Sequence, residues 1–239
     1  MSTATGVTAD LQVRRTLQVR RLGLVPYAEA LAMQRSLVEE RKADRIPDLL
    51  LLLQHPPVIT LGVKGDGGRS NVVAAGPRLA ELGIEVHEAG RGGDVTYHGP
   101  GQVVGYPILD LKPDRCDVHR YVRDLEDVMM RVCADHGVTA GRIAGMTGAW
   151  VGAGSAAEKI GAIGVRISKW VTSHGFAFNV SPNLEHFQLI VPCGIADHGV
   201  TSLEQASGHR VPIAAAEDAL ARHFSAVFER EPVEMSGTS

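Results

Sequence analysis

Aromatic residues are scarce in this chain, 5% of 239 residues, cysteines number three, and no strictly apolar run is longer than the stretch from Leu49 to Leu53. Each shortage excludes something. A helix that spans a bilayer needs about 20 consecutive apolar residues, so no membrane span is expected. The opening MSTATGVTAD has neither the basic flank nor the apolar centre of a secretory signal, and a cytoplasmic protein is the expectation. Three cysteines, Cys116, Cys133 and Cys193, are an odd number in such a chain, which argues for reduced thiols rather than a disulfide framework. Positive charge is short as well: 24 Lys and Arg stand against 27 Asp and Glu, net −3. Nucleic-acid binding usually rests on a basic excess that neutralises phosphates, so nucleic acid and membrane are both excluded as expected partners.

What remains is an ordinary globular composition, 44% hydrophobic and 21% charged, with one excess. The chain has 27 glycines, collected between Gly62 and Gly105 and again between Gly141 and Gly164. Clustered glycine marks backbone that turns tightly or lies close to a ligand. Apolar spacing predicts helices over Tyr27–Lys42, Asp117–His136 and Ile213–Glu229, with Asp117 as N-cap and Gly137 just past the end of the second. Strands are predicted over Leu49–His55, Val58–Leu61, Val103–Asp110, Ala149–Val151, Lys159–Ile167 and Trp170–Val180. With no repeat or linker between them, these elements predict one α/β domain with a mixed sheet over residues 11–231, between frayed tails at 1–10 and 232–239.

The densest polar cluster is RGGDVTYHGPGQ, Arg91 to Gln102. It is either a long surface turn or a loop that offers bare backbone N–H groups and convergent side chains to a ligand. The spacing and lysine of a nucleotide P-loop are absent. Gly152 to Ala157 formally matches a dinucleotide fingerprint, but no helix or acidic partner follows, so that site is rejected. Among the cysteines, Cys133 falls on the apolar face of the second helix and reads as core, and Cys116 has no activating neighbour. Cys193, between Pro192 and Gly194 at the end of an apolar run, is either a buried strand-end thiol or a presented nucleophile. A catalytic thiolate needs a nearby cation or proton acceptor. His198, His174, His186 and Lys159 are the candidates, and Lys159 is either partly desolvated beside Ile160 or an exposed strand end. A Cys193–His198 zinc pair lacks the ligand spacing of known sites.

In this order, RGGDVTYHGPGQ (91–102), KIGAIGVR (159–166), HGFAFNV (174–180) and PCGIADHGVTSL (192–203) resemble the lipoyl(octanoyl) transferases, with the likeness running from Gln54 to Leu203. The resemblance implies the biotin and lipoate protein ligase fold, and a two-step acyl transfer from acyl carrier protein to a lysine ε-amine. The acceptors it implies are lipoyl domains of 2-oxoacid dehydrogenases and the glycine cleavage H protein. It implies no cofactor and no metal. Carried over by motif, Cys193 is the nucleophile and Lys159 lowers its pKa. Arg91, Gly92, Gly93, Asp94, Val95, Thr96, Tyr97 and His98 wall the acyl and carrier-arm site. Ala162, Ile163, Gly164, Gly175, Phe176 and Ala177 flank the acyl group. The chain departs from the family at Gly161 with Ala162 and at Met146 with Ala149, which puts the fit of the acyl wall in question. An ATP-dependent ligase of the same fold and a thiol hydrolase are the competing readings. Burying six methylenes at about 0.8 kcal/mol each also predicts an apolar slot.

Overall fold

A strand of consecutive leucines cannot alternate between a wet and a dry face, so both of its faces must be covered. That is where the computed structural model, which describes residues 15–64, 66, 68–191 and 198–234, places them. Leu49 to Leu53 lie in β2 (Asp48–Gln54) at zero exposure, between β1 (Arg15–Leu24) and β6 (Gln102–Ile108). The sheet continues through β10 (Val171–Asn179), β9 (Glu158–Ser168), β8 (Met146–Val151) and β7 (Ala140–Ile143). With β12 (Arg230–Glu234) outside β1 and β11 (Gly199–Val200) on β9, it holds nine strands among the described residues. The pairs β12–β1, β1–β2 and β11–β9 are parallel, and the run from β2 to β7 is antiparallel. A mixed-sheet α/β fold is therefore what forms.

Helices α3 (Val118–Asp135) and α5 (Ile213–Phe228) cover one face, where Leu50, Leu52 and Phe178 meet Leu125, Met129, Leu220 and Phe224. On the other face α1 (Tyr27–Lys42) packs Ala30 against Leu51, Leu53 and Ala177. The α3 punctuation is as predicted. Asp117 accepts from the N–H groups of His119 and Arg120 at 2.8 and 3.1 Å, and Gly137 is left-handed at φ +72°. Two apolar faces differ from expectation: Val118 is exposed, and α1 buries Gln34 and Arg41 while Leu31, Met33, Leu37 and Val38 are only half-buried. Two short helices, α2 (Gly76–Glu81) and α4 (Leu203–Ser207), complete the set. A three-stranded sheet, β4 (Glu85–Glu88), β3 (Val58–Leu61) and β5 (Thr96–His98), stands beside the main one, and no described helix is long and apolar enough to cross a membrane.

The expected tail at 232–239 begins too early. Pro232, Val233 and Glu234 pair with Leu17, Gln18 and Val19, and the strand sits at a sheet edge, where proline is tolerated. Its anchor is Arg230, whose Nε donates to Asp48 Oδ2 at 3.0 Å. Asp48 Oδ1 accepts from Arg41 Nε at 2.9 Å and from the Asp110 N–H at 3.0 Å, and all three charged side chains are buried. Removing one member of a buried ionic cluster leaves uncompensated charge. Asp48→Ala is therefore expected to lower unfolding free energy by about 3–5 kcal/mol in urea titration. Asp218→Ala, which breaks only the exposed pair with Arg21, should leave the midpoint within error.

Candidate active site

Strand β9 loses its alternation at one point. Ala149 of β8 faces Gly161 but Trp150 faces Lys159, so Ile160 is an extra residue and the strand bulges, which re-aims the neighbouring side chain. Lys159, 8% exposed, thereby lines a cavity of about 440 Å³, with Nζ 4.7 Å from the centre of the Trp150 ring. A cation over an indole face is attracted by the ring quadrupole. Trp150 also meets His198 edge-on at 5.4 Å, and His198 Nδ1 donates to the Ala157 carbonyl at 3.1 Å. Beneath the lysine stem lies Gly148, at φ +128°. A Cβ there would stand 2.4 Å from Gly161 O and 3.5 Å from Lys159 Cε, so only glycine permits this approach.

The Gly148 N–H is held at 3.0 Å by Glu126 Oε1. Glu126 is fully buried on α3, and its Oε2 accepts from Arg123 at 2.5 Å and Arg142 at 2.7 Å. Neither Trp150 nor Glu126 stands out in the sequence analysis; the only signal for Glu126 is a carboxylate bordering the apolar face of a helix. The positions at which the chain departs from the family also find their places here. Ala149 and Gly161 face the α3 core, where a Cβ on Gly161 would stand 2.4 Å from Met129 Sδ. Met146 lines the cavity.

The loop after β4 supplies the opposite wall. Arg91 to Thr96 and His98 line the cavity together with Ala162 to Gly164 and Gly175 to Ala177. Tyr97 does not. Successive residues of β5 point to opposite faces, so Tyr97 turns away, shares a 2.7 Å hydrogen bond with His186 Nδ1 and packs edge-on against Phe187. His186 is thereby committed on that side. Arg91 serves as a clamp within the loop: its two Nη groups donate to Asp94 O, Thr60 O and Thr60 Oγ1, each at 2.8 Å. Asp94 receives the Val95 N–H at 2.7 Å and Asn71 Nδ2 at 2.8 Å, fixing the loop to its neighbour. Cys193 lies outside the described residues. Cys133 is core, its thiol pushed up to about 12 by burial, and Cys116 is exposed.

Apolar atoms make up the larger share of the cavity wall, in line with the apolar slot expected, with polar groups set among them. Val95, Val104, Ile163 and Phe176 share its wall with Tyr27, Tyr106, His98 and His174. Burial pushes His98 down to about 3 and His55, whose Nδ1 donates to the Val25 carbonyl at 2.7 Å and whose Nε2 accepts from Tyr106 Oη at 2.8 Å, down to about 4. His174 is held at about 4 by burial and then by Arg91, Arg166 and Arg35. It sits left-handed at φ +54° within β10 and donates its N–H to Gln34 Oε1 at 2.8 Å. The imidazoles in the polar part of the wall, His98 and His174, thus carry no charge at neutral pH.

Residues 26–225 match the family model described as lipoyl protein ligase A/B catalytic domain. A Myxococcus xanthus protein named octanoyltransferase is 52% identical over 92% of this chain; the chain spans 61% of that protein's length. One of the same name from Chloroflexus aggregans is 49% identical over 92% of this chain and 98% of its own. Among solved structures, the bipartite lipoate protein ligase of Thermoplasma acidophilum superposes with TM-score 0.71 at 16% identity, covering 94% of this chain and 88% of that one. A lipoate-protein ligase A bound with ATP does so with TM-score 0.69 at 15% identity, covering 93% and 90%. Those likenesses show the lipoate-ligase fold.

The buried imidazoles have a thermodynamic consequence. Their folded pKa values lie below the unfolded value of about 6.5, so below that pH the unfolded chain binds protons the native state refuses. Stability is then complete above pH ~6.5 and falls toward pH ~4, by about 1.4 kcal/mol per pH unit for each imidazole. Urea titrations between pH 7 and 4.5 should show this slope. His174→Asn, which tolerates the left-handed backbone, should remove about one imidazole's share.

Proposed function

The chain belongs to the lipoyl protein ligase A/B catalytic-domain family and is an acyltransferase, and we propose that it moves an octanoyl group from acyl carrier protein to a lysine ε-amine on lipoyl domains, through a thioester on Cys193. Lipoyl domains of 2-oxoacid dehydrogenases and the glycine cleavage H protein are the acceptors this reading assigns. The observation that carries it is a buried lysine turned by a strand bulge into a cavity with an otherwise uncharged imidazole wall. This occurs in a chain 49–52% identical to proteins named octanoyltransferase. The cavity volume lies in the range of small-molecule sites, roughly 300–1,000 Å³.

In the first step the Cys193 thiolate, stabilised by the Lys159 ammonium, attacks the octanoyl thioester carbonyl and the carrier sulfur leaves as a thiolate. Only afterwards does that thiolate take a proton from Lys159, which leaves the lysine neutral for the second step. In the second, Lys159 takes a proton from the incoming lysine, whose amine attacks the acyl-enzyme. The Cys193 thiolate leaves, and the remaining amine proton passes to solvent. A thioester-to-thioester exchange is nearly isoenergetic and the amide lies downhill, so the sequence runs without ATP. One lysine acts as electrostatic partner and then as general base.

Mixed with octanoyl carrier protein in the absence of ATP, the protein should gain the mass of one octanoyl group on the peptide containing Cys193. Label on Cys116 or Cys133 in Cys193→Ala, a strict ATP requirement, or free octanoate released without an acceptor would each contradict the reading. Lys159→Arg keeps the positive charge but does not release a proton. Single-turnover kinetics should show acyl-enzyme still forming in Lys159→Arg while transfer to the lipoyl domain falls by about 10²–10⁴. Near-wild-type transfer from the Lys159→Ala acyl-enzyme would remove the lysine from the mechanism.

A further inference from the structure

Behind the glycine-rich loop a chain of hydrogen bonds crosses the interior to the strand that carries Lys159. His98 Nδ1 lies 2.7 Å from Gln102 Oε1, Gln102 Nε2 donates to Asn179 Oδ1 at 2.8 Å, and Asn179 Nδ2 donates to the Thr201 carbonyl at 3.0 Å. The Thr201 N–H then donates to the Lys159 carbonyl at 3.0 Å. His98, Gln102, Asn179 and Thr201 are all buried.

The direction of every bond follows from the last member. A backbone carbonyl only accepts, so Asn179 turns its amide nitrogen to Thr201 and its oxygen to Gln102. That oxygen only accepts, so Gln102 turns its nitrogen to Asn179 and its oxygen to His98. A second Gln102 Nε2 hydrogen points at the Tyr97 carbonyl, 3.4 Å away, in agreement. The ring proton of neutral His98 therefore sits on Nδ1, and Nε2 is the bare nitrogen. Among the described residues no hydrogen bond uses Nε2, and His98 lines the cavity.

An alkyl acyl chain brings no hydrogen-bond donor and a thioester brings only acceptors, whereas a primary amine arrives with N–H bonds. We propose that Gln102 and Asn179 are positioning residues that hold His98 in its Nδ1–H form, so that Nε2 accepts an N–H of the acceptor amine while that amine attacks. This rests on the transfer reading above and names how the same site receives its second substrate. His98 stays neutral for the purpose first because it is buried and then because it faces His55, two influences larger than the opposing Gln102 bond, with Arg91 and His174 adding to them.

Gln102→Glu sets a carboxylate against Nδ1 and favours the doubly protonated ring, which has no acceptor left. In single-turnover experiments at pH 6, its acyl-enzyme formation from octanoyl carrier protein should stay within about twofold of wild type. Transfer to a lipoyl domain should fall at least tenfold and recover as pH rises, an acid limb absent from the wild type. Ring ¹⁵N shifts, assigned by their loss in a folded His98→Asn variant, should show Nε2 unprotonated in the wild type, a measurement that needs no activity. Nε2–H in the wild type, equal loss in both half-reactions, or no new acid limb overturns the proposal. A wild-type protein with the expected tautomer that transfers no octanoyl group overturns the functional reading instead, and the assignment of the amine with it.

Discussion

A lysine head group brought inside a protein gives up hydration worth several kcal/mol unless the interior supplies a substitute. The candidate site is organised around that constraint. The extra residue in β9 swings Lys159 onto the Trp150 face, and the absence of a side chain at Gly148 lets β8 come close enough to support the stem. Glu126 fixes the Gly148 N–H from the helix behind. Placing a carboxylate at zero exposure is itself costly, and two guanidiniums and a backbone donor offset it. The ion cluster on α3 and the lysine in the cavity are thus two ends of one packing arrangement, joined through a glycine.

The remainder of the cavity wall is apolar in its larger share, and its two imidazoles, His98 and His174, are uncharged at neutral pH. Both, with His55 behind Tyr106, are kept neutral mainly by burial, and nearby arginines add to the effect at His98 and His174. Arg91 spreads its charge over three oxygens of β3 and its own loop, so it shapes the loop and biases the field without presenting its guanidinium as a simple anion hook. Such a wall gives hydrogen bonds to a polar ligand group and still tolerates methylenes, because a satisfied neutral ring offers no unpaired charge to desolvate.

Much of this was legible in the sequence wherever local pattern and tertiary demand coincide. The three long helices carry their apolar period or caps in the chain itself, and the leucine run of β2 announces burial on both faces. The glycine-rich loop and the KIGAIG strand were open readings on their residues alone, a surface turn or a ligand loop and an exposed or a desolvated lysine, and became two sides of one site only through the family resemblance. β1 and β12 were not legible, because Arg15–Leu24 buries only Leu17 and Val19 and its partner arrives from the far end of the chain. β5 hid inside a loop because three residues show no period, and that strand is what turns Tyr97 away. Glu126, Gln102 and Asn179 act through partners tens of residues distant in sequence, a relation that no window along the chain contains.

The sheet and its helices are shared with solved lipoate protein ligases at 15–16% identity, and a fold does not by itself choose the chemistry. The choice falls to how separate pieces of chain are tied together around the cavity, and the ties are shared. Asn71 holds Asp94 of the glycine-rich loop through its side chain and the Val191 N–H, at 2.7 Å, through its carbonyl. On the other side Val200 pairs with Lys159, and Thr201 returns both to the Lys159 carbonyl and to Asn179. Val191 is therefore pinned to the residue that holds the loop, and Val200 to the strand that carries the lysine, so a shift of the loop at Asn71 is felt at Val191 and a slip of β9 is felt at Val200.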